Sequence, residues 1–148
     1  MSHETLFLIN ACSSFFLAGL IWFVQAVHYP SFLDIEASNF QRFHQKHIIR
    51  TGFVVIPAML TELASSVILT FYYTDLPLVN SLGLGLIIAI WLSTFLLQAP
   101  AHNKLQKNFD RTLVLKLIRT NWIRTVLWTL KALLSFYGCC YFLSKWGN

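Results

Sequence analysis

The sequence predicts an all-α integral membrane four-helix bundle, a single domain over residues 1–148 with two short amphipathic cytoplasmic connecting helices. Three observations lead there. The composition is 56% hydrophobic and only 11% charged, too little charge to coat a soluble domain of this length. Four apolar stretches reach the ~20 residues that a helix needs to cross a bilayer. Each stretch also gathers its few polar residues on one side at helical spacing.

The first span covers about residues 6–28, and Leu6 to Val27 carries no charge. Met1-Ser2-His3-Glu4 lacks a basic leader and no small-x-small cleavage site comes after it, so the span is expected to be retained. Pro30 ends it, and Ser31 or Asp34 can cap the next helix. From Glu36 to Arg50 a helix at about 100° per residue splits into two faces. Glu36, Phe40, Phe43, His44, His47 and Ile48 share one; Gln41, Arg42, Gln45, Lys46 and Arg50 share the other. This segment reads either as a surface helix at headgroup level or as a roof that turns His44 and His47 inward. The second span, 51–73, carries Glu62, and the third, 78–101, carries no charge. In the second connection, Asn103 to Thr120, Asp110 or Thr112 can start a short helix. Asn121 is the expected N-cap of the fourth span, 121–143, which holds Arg124 and Lys131.

Charge sets the expected orientation. Arg42, Lys46 and Arg50 lie between spans one and two, and Lys104, Lys107, Arg111, Lys116 and Arg119 between spans three and four. Thr74 to Asn80 has no Lys or Arg. The positive-inside rule places both basic connections in the cytoplasm and both termini outside, in a multi-pass cell (inner) membrane protein. The net charge of +5 is then mainly a topology signal that also suits anionic lipid headgroups. No recognition motif for nucleic acid accompanies it. Cys12, Cys139 and Cys140 lie inside spans without metal-type spacing and read as packing residues, a bridge from Cys12 to Cys139 or Cys140 being the alternative.

Lipid rejects charged and amide groups, so the polar stripes of the four spans must face one another. They are Asn10, Ser14, Ala18, Trp22, Gln25 and His28; Thr51, Val55, Ala58, Glu62, Ser65, Ser66 and Tyr73; Trp91, Thr94, Gln98 and His102; and Asn121, Arg124, Thr125, Trp128, Lys131 and Ser135. Small members such as Ser14 and Ala18 allow close helix approach. Counting depth at about 1.5 Å per residue puts His28, His44, His47, His102, Asn121 and Arg124 at the membrane edge, with Gln25, Gln98 and Trp128 about one turn deeper. Glu62 falls about 16 Å into its span and Lys131 about 15 Å into its own, so they are expected to form a buried ion pair.

Three functional classes are compatible with this pattern. A polar pocket at the cytoplasmic end would bind or oxidise a small aromatic molecule such as a quinone or phenol. Trp22, Trp91, Trp122 and Trp128 could surround the ring, although Trp122 at the membrane edge also suits an interfacial belt. Gln25, Gln98, His102, Asn121, Arg124 and Trp128 would hold the ligand, and His28, His44 and His47 would act as catalytic proton carriers. Alternatively His28, His44, His47 and His102, with Glu62 adding an oxygen, would bind a metal ion for redox work; no other cofactor is assigned. The third class is a non-enzymatic membrane subunit or lipid-binding element whose polar core only fixes helix register. The bilayer is the one firm partner, and a homo-oligomer is compatible with all three.

Gln25-x-x-His28-Tyr29-Pro30, then Phe40, His44, His47, Pro57, Glu62, Gln98-Ala99-Pro100-Ala101-His102, Asn121-Trp122-Ile123-Arg124-Thr125 and Trp128 span nearly the whole chain. In these motifs the sequence resembles a group of small, mostly uncharacterised bacterial four-span membrane proteins. That group is distantly similar, in length and span number, to the anthrone-oxygenase-like membrane proteins, some of which oxidise polycyclic phenols without a cofactor. The resemblance implies a four-span fold; the distant link rests on architecture more than on shared catalytic residues.

Overall fold

The computed structural model describes residues 2–146, and every regular element among them is helical. Helix α1 (His3–Phe23) starts at Ser2, whose Oγ accepts from the Thr5 backbone N–H. It widens into a π turn at Val24–His28, closed by Tyr29 N–H donating to the Val24 carbonyl at 2.9 Å. Pro30 has no N–H to continue the ladder, and the chain tightens into a 3₁₀ turn over Pro30–Asp34. Helix α2 (Ala37–Tyr72) comes next, 36 residues long with Pro57 inside it.

Leu76, in left-handed backbone (φ 55°), turns the short connection into α3 (Pro77–Ser93). A second π turn, Thr94–Gln98, leads into α4 (Ala99–Leu105), which carries Pro100 in its first turn. A proline ring clashes with the carbonyl four residues back, and the wider π turn gives that carbonyl room. Helix α5 (Arg111–Trp146), again 36 residues, is capped by Asp110, which accepts from the Thr112 and Leu113 N–H groups. The chain thus repeats one order twice: an apolar helix, a π turn, a proline, then a 36-residue helix.

The amphipathic connections are therefore the first turns of α2 and α5, continuous with the spans beyond them. Asn121 is not an N-cap, as its position before the fourth span implied; it lies ten residues inside α5, fully buried. The helix has no reason to stop there, because Lys116 to Thr120 contains no breaker and Asp110 already supplies the cap.

Helix α1 packs on α2 and α5, and α3 packs on the same two, so α1 and α3 stand diagonally across a square bundle. The stripe Asn121, Arg124, Thr125, Trp128, Lys131 and Ser135 of α5 is buried, while Val126, Leu130, Leu133 and Tyr137 are exposed. Four helical segments, His3–Asp34, Ala37–Tyr72, Pro77–Leu105 and Arg111–Lys145, are each long and apolar enough to cross a membrane. With polar groups inside and apolar side chains outside, this is a multi-pass membrane bundle.

Two apolar clusters sit at different heights. One, with Leu17, Ile21, Phe32, Phe40, Leu117 and Trp128, surrounds the histidine end. The other, with Leu6, Phe7, Ala11, Leu69 and Phe142, fills the opposite end. There Gly138 is required, since a Cβ would run into the Phe7 ring. Asp75 caps that end, 3.2 Å from both His3 and Lys145. The three cysteines are free.

Candidate functional site

The histidines of three segments meet at one end. His28 closes the first π turn, His44 and His47 stand one turn apart on α2, and His102 lies on α4. His28 Nε2 is 2.7 Å from His47 Nδ1, and His44 Nε2 is 3.0 Å from His102 Nδ1. The Tyr29 hydroxyl lies 2.9 Å from His102 Nε2, and Thr51 Oγ1 lies 2.9 Å from His47 Nδ1. Phe32 and Phe40, both fully buried, form the wall behind: Phe32 meets His28, His44 and His47 edge-on, and Phe40 stacks on His44. Each His–His bond needs one acceptor nitrogen, so at most one ring of each pair carries two protons.

These are the four metal candidates. Their nitrogens face one another in pairs instead of converging on a point. Among the described residues no group of three or more His, Cys, Asp or Glu side chains is arranged to hold a metal ion.

One turn deeper lies an amide and guanidinium layer. Asn121 Nδ2 donates to Gln25 Oε1 at 2.9 Å, and Gln25 Nε2 donates to the Ile118 carbonyl at 3.2 Å. Arg124 Nη1 donates to Asn121 Oδ1 at 3.3 Å, and its guanidinium lies 5.0 Å above the Trp128 ring. Gln98 Nε2 makes a long bond, 3.4 Å, to Thr120 Oγ1. Both glutamines sit in π turns. A π turn inserts one residue relative to the α register, which rotates the residues beyond it by about 100°, and Tyr29, just past the first of them, is buried.

Against this layer opens a cavity of about 380 Å³, in the range of small-molecule sites. Its walls are apolar: Leu17, Ile21, Val24, Val55, Met59 and Phe95. Its polar end is formed by Tyr29, His47, Gln98, His102, Arg124 and the Trp91 and Trp128 indoles. Three buried atoms there have no hydrogen-bond partner: Arg124 Nε, Gln98 Oε1 and Trp91 Nε1. Buried polar atoms are ordinarily paired, so these three, on residues that line the cavity, are free to bond a ligand.

The deepest polar layer is different. Glu62 and Lys131 are buried at 1% and 3% exposure. The direct ion pair expected between them is not formed. Ser14 Oγ stands between, donating to Glu62 Oε1 at 2.7 Å and accepting from Lys131 Nζ at 3.0 Å. Trp128 Nε1 donates to Glu62 Oε2, and Lys131 Nζ also donates to Asn10 Oδ1 and Ser135 Oγ. Asn10 Nδ2 in turn reaches Ser65, Ser66 and the Glu62 carbonyl. The helical rise gave the height of each group, but α1 intervenes across the bundle and its serine completes both hydrogen-bond sets. Beside this layer the void is about 10 Å³, room for a single water.

Of the candidate site residues, His47, Gln98, His102, Arg124 and Trp128 line the cavity, while Gln25, Asn121, His28 and His44 lie in the layers behind it and do not, and two of the tryptophans lie outside these layers. Trp22 and Trp122 pack edge to face on the outer surface, both nearly half exposed, with Trp22 donating to Thr129. They do not reach the cavity; Trp91 and Trp128 do. Sequence reasoning missed Tyr29, which joins the cavity to His102, and the bridging role of Ser14. Tyr29 stood inside the Gln-x-x-His-Tyr-Pro motif and was the available signal. No protein-family model, no curated protein and no solved structure matches the chain.

Proposed function

We propose that the protein binds a small aromatic molecule of quinone or phenol type in the 380 Å³ cavity and that the histidine cluster exchanges the hydroxyl proton of the phenol or quinol form. The carrying observation is the set of orphaned atoms, two donors and one acceptor, around a cavity that is otherwise apolar. Such a half-apolar site suits a flat ring with oxygen substituents. Trp91 and Trp128 offer ring faces, and Arg124 Nε, Trp91 Nε1 and Gln98 Oε1 offer hydrogen bonds.

The geometry also supports a proton route. With Tyr29 O–H donating to His102 Nε2 and His102 Nδ1–H donating to His44 Nε2, the tautomers are consistent along the line. A ligand proton taken by Tyr29 moves on to His102 and then to His44. In this reading the histidine end faces the cytoplasm, in keeping with the basic connections, and the protein is an enzyme or carrier of that aromatic compound.

Calorimetric titration of the detergent-purified protein with 1-naphthol and with menadione tests the assignment. Saturable binding of at least one, lost when Val55→Trp fills the cavity, is the expected result. Absence of saturable binding by both would overturn it.

A further inference from the structure

The charge inventory of the cavity constrains the ligand further. Of the six acidic residues in the chain, Glu62 alone is buried. Its two oxygens are committed to Ser14 and Trp128. Arg124 is 7% exposed, and among the described residues the ion pairs involve Asp75 alone. The guanidinium therefore has no carboxylate. Facing it are Tyr29 from the end of α1, His47 from α2, Trp91 from α3, Gln98 and His102 from the second π turn and α4, and Trp128 below it on α5. None of these supplies a resident negative charge.

A buried guanidinium without a counter-charge is costly, and more so in a bilayer. Arg124 and Trp91 both line the cavity and each carries a buried donor without a partner, Nε and Nε1, and an oxygen with full negative charge is the strongest acceptor for a guanidinium. The cavity is also open on the side of the bundle between α2 and the second π turn, where its rim residues Ile56 and Phe95 are 53% and 60% exposed among lipid-facing neighbours.

Building on the aromatic assignment above, we propose that the cavity takes a weakly acidic aromatic compound from the bilayer and holds it as its anion, a phenolate or aromatic carboxylate with the oxygen on Arg124. The neutral acid partitions into lipid and reaches the cavity laterally. On binding, its O–H bond breaks and the electron pair stays on the ligand oxygen. The proton passes to Tyr29 as the Tyr29 proton moves to His102 Nε2 and the His102 Nδ1 proton to His44 Nε2. His44 ends as the cation and holds the proton, with Nδ1 and Nε2 both protonated.

The experiment uses 4-nitrophenol, whose absorption distinguishes phenol from phenolate, with the intact protein in detergent. Bound dye is expected to ionise about one pH unit lower than free dye, or more, as a neighbouring cation lowers an acid's ionisation midpoint. Arg124→Gln should remove that lowering, and Arg124→Lys should restore part of it. Monodisperse elution and an unchanged helical spectrum are required of each variant; an Arg124→Gln that does not fold is replaced by comparing wild-type affinities for 1-naphthoate and 1-naphthalenemethanol. There the anion should bind at least about tenfold tighter, equivalent to one charge-assisted hydrogen bond. Binding of the dye without a lowered midpoint, or equal affinity for the two naphthalenes, would overturn the anion and leave the aromatic site standing. Failure of every aromatic probe to bind would remove both.

Discussion

The two buried polar layers of this bundle hold similar chemistry and are finished differently. The deep layer has an acid, a base, an amide and four serines, and its charged atoms all have partners around a void of about 10 Å³. The layer nearer the histidines has a guanidinium, three amides and an indole, and three of its atoms have none, around a cavity of about 380 Å³. A satisfied network in low dielectric rigidifies and fixes register. An unsatisfied one stays costly until something binds. The contrast assigns the Glu62–Ser14–Lys131 layer to holding the helices in place and the Arg124 layer to ligand binding.

Breaking the deep layer gives the largest effect. Lys131→Met leaves the Glu62 carboxylate buried with no cation, and one-sided removal of a buried charge costs about 3–5 kcal/mol. Thermal unfolding in detergent should show a large drop, and Glu62→Gln combined with Lys131→Met should recover part of it. A Lys131→Met protein as stable as the wild type would erase the distinction between the layers. Ser14→Ala tests the bridge itself: it strips one hydrogen bond from each charge and should destabilise by about 1–3 kcal/mol. Were Glu62 and Lys131 simply to close on each other, the loss would fall near zero.

The upper layer should respond in the opposite way. Trp91→Phe removes an N–H that bonds to nothing, so stability should change by less than about 1 kcal/mol. Affinity for 1-naphthol or 4-nitrophenol should nonetheless fall several-fold by titration. Loss of stability without loss of binding would return Trp91 to the structural class.

How much of this was legible depends on which physical signal each feature leaves in a sequence. The bundle was legible because hydropathy and a 3.6-residue period act on many residues together; every member of the α5 stripe from Asn121 to Ser135 is buried. The π turns were not, since an i→i+5 bond has no residue signature of its own; Pro30 and Pro100 mark them only once the register is known. That is why Tyr29 escaped, and why the histidines were placed at one level without their pairing. The serine between Glu62 and Lys131 was hidden for another reason. Depth along a helix comes from counting, but which side chain lies between two helices depends on their arrangement around the bundle, and Ser14 of α1 occupies that place. Trp22 shows the width of the same limit: it falls on the edge of the α1 stripe and is 45% exposed, while Asn10, Ser14, Ala18 and Gln25 of that stripe are buried.

The smallest effect lies outside both layers, at the start of α5. Asp110 accepts from Thr112 Oγ1 and from the Thr112 and Leu113 N–H groups, and these bonds hold its carboxyl below its ordinary value of 3.8. A carboxyl lowered in the folded state adds stability that is fully present above its unfolded ionisation and lost as pH falls through the folded one. Asp110→Ala should therefore lower the melting temperature slightly at neutral pH, and the difference from wild type should vanish on acidification below the ordinary aspartate range. Because α5 carries both layers, the same variant should leave ligand affinity unchanged if the cap only secures the helix end. A Tm difference that persisted at low pH would mean that Asp110 acts through packing and not through its charge.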